Sequence, residues 1–125
     1  MATETRILIA EDEPAIAKAL ELKLTHDGYI VELAIDGEEA LKKLTAGKYS
    51  MLLLDLIMPK KDGFGVLEAL KAAKNKVPVI VLTNLGQEED LERAKAMGAT
   101  DYFVKADTPI ADIVSHVTTR LKHAH

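Results

Sequence analysis

The sequence predicts an α/β fold built on a mainly parallel sheet with helices on both faces. Three observations lead there. Short β-branched or leucine-rich runs recur along the chain, segments with helical apolar spacing separate them, and Gly, Pro and Asp mark the junctions. Strands buried on both faces read as continuous apolar runs, and five of them alternating with five helices imply crossover connections. A length of 125 residues suits a single domain spanning 1–125, with its core expected over about 5–122 and no output domain.

The first strand is expected over Arg6 to Ala10, followed by a helix carrying Ile16, Leu20 and Leu24 at four-residue intervals. The second strand is placed at Tyr29 to Ala34, and Ala40, Leu41 and Leu44 form the stripe of the next helix. Ser50 to Leu54 gives the third strand, with Val66, Leu67 and Leu70 marking a helix after Gly63. The fourth strand reads Pro78 to Thr83, and Leu91, Ala94 and Met97 define the fourth helix. The fifth strand is Asp101 to Val104. Ile110, Ile113, Val114, Val117 and Leu121 then make the most regular amphipathic pattern in the chain.

Punctuation agrees with these limits. Asp36 and Asp62, each before a glycine, are expected N-caps. Thr108-Pro109 reads as a cap followed by proline at the first helical position. Gly28, Gly47 and Gly98 each follow a helical pattern, where a left-handed residue closes the helix.

Composition removes several function classes. With no cysteine, disulfides and zinc–thiolate sites are excluded. A net charge of -4 argues against nonspecific nucleic-acid binding, which needs basic surface. The pairs Lys42-Lys43 and Lys60-Lys61 are read as solvated faces. No apolar stretch is long enough for a membrane span, and Met1 to Arg6 lacks the features of a secretory signal, so the expected location is cytoplasmic.

Asp55 stands out. It ends the apolar run Met51-Leu52-Leu53-Leu54, and a buried carboxylate there needs a cation or hydrogen-bond donors. Ligands of an open parallel sheet bind beyond the carboxyl ends of its strands. Those ends carry Glu11-Asp12-Glu13, Asp55, Thr83-Asn84 and Lys105. Hard oxygen donors without histidine or cysteine suit Mg²⁺, and a carboxylate beside that ion can attack phosphorus. Any one of these residues alone would merely finish a strand; all four ends together make coincidence a poor account.

The segments Ile7 to Glu13, Leu53 to Pro59 with Asp62-Gly63, Val81-Leu82-Thr83 and Asp101 to Lys105 together resemble the receiver domains of bacterial response regulators. The resemblance covers essentially the whole chain and implies a flavodoxin-like sandwich with strand order 2-1-3-4-5. It implies Asp55 as phosphoacceptor, with Mg²⁺ at Glu11, Asp12, Asp55 and the backbone carbonyl of Ile57. Thr83 and Lys105 become the phosphoryl-binding pair, and Tyr102 the aromatic that turns when Thr83 moves. Implied partners are a histidine kinase or phosphotransfer domain and a downstream target protein. Output would pass through the fourth helix, fifth strand and fifth helix of a monomer or weak homodimer.

Three positions depart from the family pattern. Asn84 stands where a small residue borders the phosphorylation site, and bears on the rate of transfer. Ala106 replaces the proline that follows the lysine in a cis peptide, so a trans bond is expected. Ile57 and Leu85, apolar at positions flanking the path of attacking water, imply a slowly decaying phosphoryl group.

Rival readings fare worse. A haloacid-dehalogenase-type phosphohydrolase carries its nucleophile after the first strand with a second Asp two residues on, but that stretch here is Glu11-Asp12-Glu13-Pro14. A nucleotide or flavin binder would need a glycine-rich loop at the same place. A pseudo-receiver would not need the full set of acids, Thr83 and Lys105. His26, His116, His123 and His125 show no ligand spacing, and His116 reads as a surface residue of the last helix.

Overall fold

A computed structural model describes residues 5–122, so the readings at Met1 to Glu4, His123 and His125 lie outside the described residues. The strands are β1 (Arg6–Ala10), β2 (Ile30–Ala34), β3 (Met51–Leu54), β4 (Val79–Thr83) and β5 (Asp101–Val104). The helices are α1 (Pro14–His26), α2 (Gly37–Ala46), α3 (Gly63–Ala72), α4 (Glu88–Ala96) and α5 (Ile110–Lys122). All strand pairs are parallel, in the order β2-β1-β3-β4-β5. Three strands begin one residue later than the sequence suggests, at Ile30, Met51 and Val79.

The period-two pleat sorts each strand into two cores. Leu8, Ala10, Leu52, Leu54, Val79 and Val81 pack with Ala40 and Leu44 of α2, Val66, Leu67 and Leu70 of α3, and Ala94 of α4. The alternate residues Ile7, Ile9, Met51, Leu53, Ile80 and Leu82 meet Leu20 and Leu24 of α1 and Ile113, Val117 and Leu121 of α5. Each fully buried leucine or isoleucine contributes roughly 1.5–3 kcal/mol of apolar burial. That two-sided burial is why Ile7 to Ala10, all of β3 and Val79 to Leu82 are apolar.

Some side chains sit differently from the sequence reading. Ile16, Leu41, Leu91 and Met97 are half-buried, and Ala94 is the one fully buried residue of α4. Asp36 and Asp62 cap as expected, accepting from the Glu39 and Gly65 amides at 2.8 and 2.9 Å. Thr108 does not cap α5. Its hydroxyl donates to the Val104 carbonyl at 2.9 Å, and the Pro109 carbonyl accepts the first helical bond from Ile113. Gly28 and Gly98 close their helices at φ +99° and +105°, whereas Gly47 is extended at φ -140°. The left-handed closure of α3 falls on Lys74, at φ 56°, where the sequence offers no glycine to announce it.

Two lysine and histidine readings also change. Lys43 is not simply solvated, because its ammonium donates to the Leu33 carbonyl at 2.8 Å. His116 is half-buried, edge-on to Phe103 with ring centres 4.9 Å apart, and its Nε2 lies 3.1 Å from Asp101 Oδ2. Arg120 Nε approaches the same oxygen at 2.7 Å. Oδ2 thus faces two donors from α5, neither in well-aligned hydrogen-bond geometry, so the link is chiefly electrostatic. Burial pushes the Asp101 carboxyl up, but His116 and Arg120 outweigh it and hold it below the usual carboxylate range.

Candidate functional site

The site forms where β1, β3, β4 and β5 end. Backbone bonds fix the spacing of the strand ends, with the Asp55 amide donating to Ala10 at 3.0 Å and the Glu11 amide to Ala34 at 3.0 Å. Glu11 and Asp55 are each 4% exposed and Thr83 is fully buried, while Asp12 is open to solvent. Carboxylate oxygens of Glu11, Asp12 and Asp55 lie within 4.8 Å of one another. Three acids that close form a hard-oxygen set, and Glu11 and Asp55 each directly follow one of two neighbouring strands. This fits a magnesium ion, which is commonly bound through one or two carboxylates while keeping several waters.

Asp55 is met from two sides. The Ile57 amide donates to Oδ1 at 3.0 Å, and the Lys105 ammonium donates to Oδ2 at 2.8 Å. Lys105 also reaches Glu11 Oε1 at 2.7 Å and Glu13 Oε1 at 2.9 Å, with its side chain 6% exposed. Burial lowers the affinity of Lys105 for its proton, but the three carboxylates overcome this and raise its pKa. Burial raises the Glu11 carboxyl to about 7, with the Asp55 charge adding to it; Lys105 and the Glu13 amide pull the other way.

The loop after β3 packs tightly under the site. A Cβ on Gly63 would fall 2.6 Å from the Leu56 Cα and even closer to the Asp55 carbonyl, so only glycine fits there. Ile57 has an exposed side chain, at 52%. Leu56 is buried in the core.

On the opposite side, Thr83 Oγ1 accepts a long bond from the Leu85 amide at 3.4 Å. The Tyr102 hydroxyl donates to the Leu85 carbonyl at 2.6 Å. Thr83 and Tyr102 therefore hold one residue, from its two backbone ends. Leu85 itself is half-buried against the core, and Asn84 is exposed. Burial raises the Tyr102 pKa, with Asp90 and Asp55 adding to the effect. There is no cis peptide among the described residues, so Lys105-Ala106 is trans and opens a short 3₁₀ turn, Lys105–Asp107.

Every site position named from the sequence thus lies at this one edge. Two features lay beyond sequence reasoning: the reach of Glu13 to Lys105, and the double hold on Leu85. Side-chain direction decides both, and spacing alone does not report it.

The sequence model of the response regulator receiver domain matches residues 7–118. A transcriptional regulatory protein, DltR of Streptococcus agalactiae, is 39% identical over 100 residues, covering 80% of this chain and 45% of DltR. The chain therefore spans less than half the length of this curated relative. Among solved structures, the Francisella response regulator 1452 receiver domain superposes with a TM-score of 0.90 at 28% identity, covering 98% of this chain and all of that one. The response regulator TrrA of Thermotoga maritima, solved in complex with Mg²⁺-BeF, gives 0.79 at 33% identity, with 94% of this chain and 98% of TrrA covered. Agreement in sequence and in fold along nearly the whole chain leaves one conclusion: it belongs to the response regulator receiver domains of two-component systems.

Proposed function

We propose that Asp55 accepts a phosphoryl group from a histidine kinase or phosphotransfer domain. The observation that carries this reading is the meeting of Asp55, Glu11, Asp12, Thr83 and Lys105 at one sheet edge. A carboxylate oxygen of Asp55 attacks phosphorus, forming a P–O bond as the P–N bond to the donor imidazole breaks. The imidazole leaves with that electron pair. Later attack by water releases inorganic phosphate and restores the carboxylate, so the domain catalyses only its own phosphorylation and dephosphorylation.

Glu11, Asp12, Asp55 and the Ile57 carbonyl would hold a magnesium ion, which supplies neutralisation of phosphoryl charge. The chain's own residues do the rest. Lys105 brings an ammonium to the site where phosphoryl charge develops, and the strand ends fix the spacing of the acids, as expected when phosphoryl transfer depends on positioning. That TrrA was solved in complex with Mg²⁺-BeF supports a magnesium-dependent reading of this site.

Phosphorylation adds about -1.5 to -2 charge. Thr83 and Lys105 are the groups placed to answer it. If Thr83 turns toward a phosphoryl oxygen, it releases the Leu85 amide and alters what Tyr102 holds. α4 is the element suited to respond, because only Ala94 among its residues is fully buried. The signal leaves through the α4–β5–α5 face to a target protein, with the chain a monomer or weak homodimer and no direct nucleic-acid contact. A cytoplasmic site of action accords with the receiver family. No described helix is long and apolar enough to cross a membrane.

Intact mass after incubation with acetyl phosphate and magnesium tests the proposal. One phosphoryl adduct on the native chain, absent from Asp55→Ala, is expected. An adduct that persists in Asp55→Ala, or none on the native chain, overturns it.

A further inference from the structure

Lys105 has three N–H donors, and each has a carboxylate: Asp55 at 2.8 Å, Glu11 at 2.7 Å and Glu13 at 2.9 Å. Two of these acids belong to the set placed to hold a cation; Glu13 does not. An ammonium and a divalent cation compete for Glu11 and Asp55. With its side chain only 6% exposed, Lys105 has little water to turn to when it yields them.

We infer that Glu13 is a positioning residue: it holds the Lys105 ammonium at the mouth of the site when a cation takes Glu11 and Asp55. This rests on the proposed cation set and extends it. Two further observations point to Glu13. It occupies the N-cap of α1, yet its side chain makes no capping bond, which leaves the carboxylate for Lys105. Its own amide donates to Glu11 Oε2 at 3.0 Å, so a single residue orients both the acid that yields and the ammonium that must move. The Glu13 side chain is 49% exposed against 2% for Glu11, so Glu13 can follow the ammonium outward while Glu11 cannot.

The test is magnesium affinity by calorimetry for the full chain and for Glu13→Gln, Lys105→Met and the double variant. Glu13→Gln should weaken binding on the order of tenfold, the scale of one charge-assisted hydrogen bond. In the Lys105→Met background the same change should matter several-fold less, because the competing ammonium is gone. An equal effect in both backgrounds would mean that Glu13 acts only through its charge, and no effect in either would remove its role; both overturn the inference. As a spectroscopic check, the Lys105 ammonium resonance should stay sharp through a magnesium titration of the native chain and broaden in Glu13→Gln. Loss of magnesium binding in Asp55→Ala, together with an indifferent Glu13→Gln, would sink this inference and leave the phosphoacceptor reading standing. Absence of binding by the native chain would sink both.

Discussion

Lys105 and Asp55 are 50 residues apart in sequence, yet their charged atoms lie 2.8 Å apart, with both side chains nearly buried. The strand order produces this meeting, because β3 and β5 flank β4. The pair has consequences for stability, for cation binding and for the lifetime of the signal.

Removing the ammonium should expose the cost of the acids it serves. Lys105→Met leaves Asp55 and Glu11 buried and unpaired, and breaking such a pair costs about 3–5 kcal/mol. The loss should be greatest near pH 8 and smaller near pH 5.5, where Glu11 escapes by taking a proton. Urea unfolding of both chains across that range, with and without magnesium, measures it; added magnesium should recover part of the loss.

The Glu11 carboxyl, raised to about 7 from 4.5, gives the site its own pH dependence. Between those values the folded chain binds more protons than the unfolded one, so the contribution of Glu11 to stability falls as pH rises through the window. Magnesium affinity runs the opposite way, since the ligand must be deprotonated. Calorimetry should show affinity climbing from pH 5.5 to about 7.5, with proton release, and Glu11→Gln should flatten the climb.

Tyr102→Phe deletes the 2.6 Å bond to the Leu85 carbonyl but keeps the ring. A net loss of about 1 kcal/mol is expected. The segment 83–87 should also exchange faster between conformations, which relaxation dispersion would register. Unchanged exchange would separate Tyr102 from the switch.

The exposed apolar side chain of Ile57 and the half-buried Leu85 offer an attacking water no hydrogen-bonding group. Decay of the phosphoryl group should therefore be slow, and Ile57→Asn with Leu85→Glu should speed it several-fold, on the order of one oriented water. Following phospho-aspartate by mass over time checks this; identical half-lives would sink it.

The sequence by itself determined the sheet, because Ile7 to Ala10, β3 and Val79 to Leu82 are buried on both faces and must read as apolar runs. It also offered Glu11, Asp55, Thr83 and Lys105 as joint candidates, since strand ends alone do not account for four suitable groups gathered at one sheet edge. Asp36 and Asp62 were legible as caps because that role depends on residues three positions away. Tertiary structure decided everything that turns on side-chain direction. It moved Thr108 from a helix cap to the Val104 carbonyl, drew His116 onto Asp101, and gave the third donor of Lys105 to Glu13. Those partners lie on other elements or across a turn, where distance is set by how helices pack on the sheet. Spacing along the chain records a residue's face, and only the packed fold records what meets it there.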